Sequence, residues 1–277
     1  MIDFHQHIGH YGRTLDHVLA HLEGIGADRA VLLPLEDPEG GGLFPTETVL
    51  EAAAAYPDRV VPFCHVDVHR HDVLQRITRM AEAGCRGYGE QKQRLSLQDP
   101  ALLRVLSLCN DLQWPVTLHI EEGRGGYNTD IRFLPTLLRR FPHVSFIGHA
   151  QSFWAHISAR VPDPTETLYP KGRVVPGGLI DRWLGEYPNL YADLSAGSGH
   201  NALARDEEFA REFLARHSHK LLFASDCPCR DGHGDGFAPG CIAQQTLALL
   251  RRLAPGPEAL QRILHHNAAR LLCLEAS

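Results

Sequence analysis

The sequence predicts an α/β fold of the (β/α)8 barrel class, and three observations lead there. Eight short apolar runs alternate with amphipathic stretches. The length of 277 residues suits a fold that takes roughly 250. The connections into the apolar runs are tight, built on Pro57-Asp58, Pro142-His143 and Pro188-Asn189, whereas those leaving them are long. Short apolar runs suit strands buried on both faces, as a parallel sheet requires, and their alternation with helices implies right-handed crossovers. One barrel domain over residues 1–277 is expected. The main rival is a doubly wound open sheet. Its nucleotide-binding forms lack support, because neither G-x-G-x-x-G after the first run nor G-x-x-x-x-G-K-[ST] occurs. Gly40, Gly41 and Gly42 read as a flexible loop.

The first strand, residues 2–7, is ended by Gly9 and Gly12. Leu15, Val18, Leu19 and Leu22 then fall at helical spacing before Gly24 and Gly26. Strands follow at 29–34 and 60–65, and the stripe Val73, Leu74, Ile77, Met80 and Ala81 marks the next helix. After the fourth strand, 85–90, Asp99 and Pro100 read as a helix cap with proline in the first turn, opening Leu102, Leu103 and Leu106. The fifth strand, 115–120, precedes Ile131, Leu134, Leu137 and Leu138. The sixth, 144–149, precedes Leu179, Ile180, Trp183 and Leu184. The seventh, 190–194, precedes Phe209, Phe213 and Leu214, and the eighth, 221–226, precedes Ile242, Gln245, Leu249, Leu250 and Leu253. A helix over residues 257–273 closes the chain. Each stripe reads as packing surface.

Composition narrows the function. Hydrophobic residues make up 44% and charged residues 22%, a globular balance. A net charge of -6, a pI near 6.3 and the lack of any Lys/Arg block argue against a nucleic-acid partner. Residues 1–8 have no signal-peptide character and no apolar run approaches membrane-spanning length, so no membrane association is expected. Seven cysteines, among them Cys64, Cys85, Cys109, Cys241 and Cys273, read as buried free thiols of a reducing compartment, with the cytoplasm as the expected location.

On an extended strand His5 and His7 point the same way, about 7 Å apart along the backbone, so two imidazoles can grip one ion. With 18 histidines in the chain such a pair is not telling by itself. What decides is that other strands end in ligand-type residues at the same mouth: Glu90, His119, His149 and Asp226. The long connections 35–46, 121–130, 150–176, 195–205 and 227–239 mark that mouth as the working face of a barrel.

The Asp3-x-His5-x-His7 opening, His119, His149 and Ser225-Asp226 before Cys227-Pro228 together resemble the amidohydrolase superfamily. Phe146-Ile-Gly-His149, Phe223-Ala-Ser-Asp226 and Asn267-Ala-Ala-Arg-Leu-Leu272 are similar to its amidohydrolase-related branch, which includes aminocarboxymuconate-semialdehyde decarboxylase. The likeness covers essentially the whole chain. It implies a distorted barrel holding one or two divalent ions. By position, His5, His7, His119 and Asp226 would hold the metal, and His149 would be a second-metal ligand or an acid/base group. Glu90 departs from many members of this branch, which have no fourth-strand ligand, whereas two-metal members of the superfamily place a carboxylated lysine or a glutamate there. Gly89-Glu90 is also similar to the Gly-Glu of TatD-like nucleases. One divalent ion with Asp226 and hydroxide is neutral, so Glu90 would make the site negative unless protonated or paired with Lys92. Two ions with Glu90, Asp226 and hydroxide total +1, which leans towards a second ion and leaves room for an anionic substrate. Nitrogen and oxygen ligands suit Zn(II) first, and also Mn(II) or Fe(II). Asp226 would take the proton of the attacking water, and His149 would complete a second metal site or stabilise an oxyanion.

Lys92, of the same parity as Glu90, is placed to hold a substrate carboxylate. Tyr127, Asn128, Trp154, His156, Lys171 and Arg173 lie in two long loops over the mouth and are further candidates for substrate contact. Cys227 and Cys229 have zinc-type spacing but no second pair, a weak signal. His65 reads as structural, and His10, His17, His21, His265 and His266 as surface or helix residues. The expected function is metal-dependent hydrolysis of a small carboxylated or cyclic compound, a lactone, amide or ester. Nonoxidative decarboxylation of an aromatic or enoic acid is the alternative. The acidic charge disfavours a nuclease. A non-catalytic metal-binding barrel would have lost part of the motif, yet all six residues are present. Homo-oligomer formation is left open.

Overall fold

Strands and helices alternate along the chain in the computed structural model, which describes residues 1–36, 45–235 and 240–274. The Gly40-Gly41-Gly42 run lies outside the described residues. In order come β1 (Ile2–Gln6), α1 (Leu15–Ile25), β2 (Arg29–Leu32), α2 (Thr46–Ala55), β3 (Val60–Pro62), α3 (Val73–Glu82), β4 (Tyr88–Gln91) and α4 (Pro100–Asp111). They continue with β5 (Pro115–His119), α5 (Leu134–Arg140), β6 (Ser145–His149), α6 (Gln151–Ala155), α7 (Leu179–Glu186), β7 (Leu190–Asp193), α8 (Ala196–Ala204) and α9 (Glu207–His217). Last are β8 (Leu221–Leu222), α10 (Ile242–Leu253), α11 (Pro257–Gln261) and α12 (Asn267–Leu271).

The strands pair in chain order and in parallel, β1 to β3 in one run and β4 to β8 in another. Two seams join the runs. Cys64 N donates to Gly87 O (3.0 Å) and Gly89 N to Cys64 O (2.8 Å), linking the end of β3 to β4. Phe4 N donates to Phe223 O (3.0 Å) and Asp226 N to His5 O (2.9 Å), linking β8 back to β1. The ring therefore closes as a distorted (β/α)8 barrel. Asp3 reinforces the second seam: its carboxylate accepts from Ser225 N (2.8 Å), Ser225 Oγ (2.6 Å) and Gln6 Nε2 (2.9 Å). The aspartate of the opening motif is thus a clamp between strands rather than part of the mouth.

Apolar packing is layered as a closed barrel demands. Phe4, Val31, Phe63, Ile147, Tyr191 and Leu222 come from six places around the ring and meet in one cluster, filling the interior below the mouth. A larger cluster, including Leu102, Val105, Leu137, Trp183 and Phe213, packs the helices onto the outside.

Three expectations need correction. The third and eighth strands are shorter than predicted; residues 223–226 leave the ladder to bond β1 and the closing helices, as Phe223 N does to Ile263 O (2.9 Å). Helix α2, which no sequence stripe marks, is alanine-rich and buries only Val49 and Ala52 with Thr46. Residues 196–204, expected as loop, form α8, whose Gly199 lets the helix lie against the Leu194 backbone, where an added Cβ would stand 2.6 Å from the carbonyl oxygen. The closing helix is interrupted by a π-helical turn, Arg262–His266, between α11 and α12. The predicted cap of α4 is present, Asp99 accepting from Ala101 N with Pro100 in the first turn.

Candidate metal centre

Strand ends bring the six residues together. His5 closes β1 with His7 just beyond it, and their Nε2 atoms stand 3.0 Å apart. Glu90 comes from β4, while His119 and His149 are register partners on β5 and β6. Asp226 follows β8 in a left-handed backbone conformation (φ 45°). All but Asp226 are buried, and its side chain is 17% exposed at the open end.

The carboxylate of Glu90 lies between two groups of donors. Its Oε2 faces His7 Nε2 (3.5 Å) and His5 Nε2 (3.9 Å); its Oε1 faces His119 Nδ1 (2.5 Å) and His149 Nε2 (3.5 Å). Asp226 spans the same gap, Oδ1 towards His7 (3.4 Å) and His5 (4.0 Å), Oδ2 towards His149 (4.0 Å). His5, His7 and Glu90 form one compact triplet, and Glu90, His119 and His149 another.

The rings are aimed from behind. His5 Nδ1 meets Asp193 Oδ2 at 2.7 Å, His7 Nδ1 meets Leu33 O at 2.6 Å, and His149 Nδ1 meets Ser195 Oγ at 2.9 Å and Asp193 Oδ1 at 3.3 Å. Each Nε2 is thereby turned to the centre, the outer-layer arrangement common for metal-binding histidines. Asp193, at the end of β7, went unrecognised in the sequence. It is fully buried and carries two rings at once.

Electrostatics follow from this crowding. Burial opposes ionisation of Glu90, but His119, His7 and Lys92 outweigh it and hold its carboxyl well below the usual range. Burial likewise opposes charge on His149, yet Asp193, Glu90 and Asp226 push the imidazole up to about 9. The pocket attracts positive charge strongly. Its donors also fit a divalent ion: Asp226 Oδ1 is buried with no hydrogen-bond partner among the described residues. The separations of 3.4 to 4.0 Å are too long for good hydrogen bonds. They match two ligand atoms that share one ion at about 2.1 Å each.

The remaining candidates divide. Lys92 is near the centre, its Nζ 5.4 Å from the centroid of the Tyr127 ring. That ring packs edge-on to His119 at 5.5 Å. Arg94, which sequence reasoning passed over, lies over the same ring and donates to Tyr127 Oη at 2.9 Å. His10, read as a surface residue, approaches Asp226 Oδ1 at 3.9 Å. Trp154 does not reach the mouth: it is 2% exposed in α6, packed on Phe153 and Phe213, and its Nε1 donates to Asp193 O. Asn128 is a strand tie, donating to Gln91 O and His119 O. His156 binds Ser152 O and lines a 670 Å³ cavity with Glu122, Arg132 and Leu168, lined by none of the six cluster residues. Arg173 is 76% exposed and paired with Glu208 and Asp206, and Lys171 is exposed. His65 is buried three residues beyond β3 and accepts from Glu36 N (3.0 Å).

The sequence model of a family described as amidohydrolase matches residues 2–274. No curated protein matches the chain. Among solved structures, a probable 2-pyrone-4,6-dicarboxylic acid hydrolase from Acinetobacter baumannii with citric acid bound is 17% identical, covering 99% of each chain with a TM-score of 0.66. A 5-carboxyvanillate decarboxylase from Sphingomonas paucimobilis is 19% identical over 92% of this chain and 82% of its own, TM-score 0.58. A 2,6-dihydroxybenzoate decarboxylase from Rhizobium is 14% identical over 94% and 88%, TM-score 0.56. At these identities the likeness speaks for the barrel fold. No helix among the described residues is long and apolar enough to cross a membrane.

Proposed function

The chain belongs to the amidohydrolase family, and from that premise we propose that it is a metal-dependent hydrolase of a small carboxylated lactone. The observation that carries the reading is the position of Glu90, one carboxylate oxygen towards each donor triplet, which supports a pair of ions with His5, His7, His119, His149 and Asp226 as further ligands. Charge favours the pair as well. Counting buried Asp193 with Glu90, Asp226 and a hydroxide, two divalent ions leave the site neutral and one leaves it at -2. Divalent metal, Zn(II) in the first place, would supply Lewis acidity and water with a pKa near 7.

The chain's own residues do the rest. Asp226, whose side chain reaches the open end and whose buried Oδ1 has no hydrogen-bond partner among the described residues, takes a proton from the attacking water and returns it to the ring oxygen as the acyl carbon–oxygen bond breaks. Asp193 keeps His5 and His149 aimed inward. Lys92 and Arg94, both set over Tyr127, offer cations to substrate carboxylates at the rim. Hydrolysis is preferred because a lactone dicarboxylate, such as the compound in the name of one structural relative, presents both a hydrolysable carbonyl and the anions these cations suit.

The test is a panel of carboxylated lactones against a panel of aryl carboxylates, with carbon dioxide detection. Ring opening without carbon dioxide is expected; carbon dioxide release with no lactonase activity overturns the reading in favour of decarboxylation. Replacing Glu90 by Gln should lower the bound divalent metal by one equivalent or more.

A further inference from the structure

A second set of ligand-type side chains meets outside the mouth. Cys227 and Cys229 lie in the loop after β8, Cys241 stands at the N-terminus of α10, and His21 projects from α1; all four are buried. Cys227 Sγ is 3.4 Å from Cys229 Sγ and 3.7 Å from Cys241 Sγ, and His21 Nδ1 is 3.2 Å from Cys229 Sγ. All four ligand atoms fall within 4.8 Å of one another. Two sulfurs bound tetrahedrally to one ion at about 2.3 Å stand about 3.8 Å apart, whereas a disulfide brings them to about 2.05 Å. We propose that His21, Cys227, Cys229 and Cys241 form a structural Cys3His site for Zn(II), separate from the metal centre at the mouth.

Three further observations support it. Thiols that serve only as small apolar filler have no need to converge on an imidazole nitrogen. Here His21 Nδ1 has the Cys229 sulfur as its neighbour, and Nε2, without a hydrogen-bond partner among the described residues, lies 4.0 Å from the Asp3 carboxylate. Charge is compensated as well. Zn(II) displaces three thiol protons, and with a neutral imidazole the site carries -1. Arg13, 1% exposed, donates from Nη1 to Cys227 O and Gln6 Oε1, while its Nε and Nη2 have no hydrogen-bond partner among the described residues. Finally, the elements are brought together by backbone contact rather than by the cysteines alone. A Cβ on Gly24 of α1 would stand 2.0 Å from Asp231 O, and one on Gly232 would stand 2.7 Å from His21 O. Gln244 Nε2 of α10 donates to Gly24 O at 2.9 Å.

Cobalt substitution tests the site through a signal that the nitrogen and oxygen ligands of the mouth cannot give. The full chain expressed in zinc-depleted, cobalt-supplemented medium should show intense near-ultraviolet thiolate-to-Co(II) charge transfer. The band should vanish in Cys229→Ser and persist in Glu90→Gln, and the zinc-grown Cys229→Ser protein should hold one equivalent of zinc less than the parent. Should Cys229→Ser fail to fold, the parent spectrum decides alone. Absence of the band in cobalt-loaded parent protein overturns the proposal. So does a disulfide among the three cysteines, found by peptide mapping of alkylated, unreduced protein.

Discussion

Asp226 and Cys227 are neighbours in the chain, yet they belong to two clusters of opposite character. The mouth gathers four imidazoles and two carboxylates from the ends of β1, β4, β5, β6 and β8, with Asp193 of β7 behind them. The thiol cluster gathers three sulfurs and one imidazole from a helix, a loop and a helix start. Nitrogen and oxygen donors tolerate several divalent metals, and an open edge leaves room for water and substrate. Three thiolates with a histidine make a closed, soft set suited to a structural ion. A single loop can therefore serve both clusters: the seam bond from Asp226 N to His5 O fixes its first residue at the mouth, and the sulfurs anchor residues 227–229 directly behind it.

The largest expected effect separates the two directly. Asp226→Asn keeps the shape of the side chain but removes the base, so turnover should fall on the order of 10⁴-fold, with the thermal midpoint and the cobalt-thiolate band unchanged. Undiminished activity would remove Asp226 from the chemistry, and loss of the band would show that the clusters are not independent.

A histidine of neither cluster provides the control for stability. Burial pulls His65 down from its ordinary value of 6.5 to about 4, and its ring accepts a hydrogen bond from Glu36 N. The folded pKa lies below the unfolded one, so the unfolded chain takes the proton first as pH falls. Stability present above pH 6.5 is lost between 6.5 and about 4 and changes no further below that. The loss amounts to about 3 kcal/mol. In His65→Asn, which keeps an acceptor but cannot titrate, the fall in denaturation free energy across this window should be shallower by that amount. Equal slopes in the two proteins would mean that His65 is not held neutral by the fold.

Next in size is Asp193→Asn. Two rings lose their anionic partner, and metal affinity at the mouth should weaken by about 10- to 100-fold in chelator competition, again with the cobalt-thiolate band intact. Retained affinity would show that Ser195 Oγ suffices to aim His149 and that packing alone aims His5.

The two clusters also differ in how far the sequence disclosed them. The mouth was legible because a closed barrel forces strand ends together, so a histidine or carboxylate ending each of several apolar runs implies a meeting point. Asp193 ends such a run too, but nothing local distinguishes it from a solvated acid; its partner His5 is 188 positions away. Trp154 was misplaced because α6 has five residues, too few to show a helical period, and the surrounding segment reads as irregular loop. The Cys-x-Cys pair lacked a second pair within sight, since His21 is 208 positions from Cys229 and Cys241 looks like any buried thiol at a helix start. Arg94 announces itself only through Tyr127, on a different loop.

The smallest effect concerns the rim of the mouth, where the proposed roles of the clusters differ most: one would meet substrate and the other would not. Burial opposes charge on Lys92, but Glu90 and Asp226 outweigh it and raise its pKa, so the ammonium is charged throughout the neutral range. Its Nζ lies over the Tyr127 ring, which itself packs against His119, and Lys92 is part of neither donor triplet. A cation so placed binds substrate and transition state alike, and its loss should raise KM with little change in kcat. One charge-assisted hydrogen bond is worth about 1.5 kcal/mol or more, so Lys92→Gln should raise KM about tenfold for a carboxylated lactone. A neutral lactone should show no change. Equal KM increases for both substrates would indicate a disturbed pocket instead, and a fall in kcat alone would move Lys92 from substrate binding to the balance of charge around Glu90.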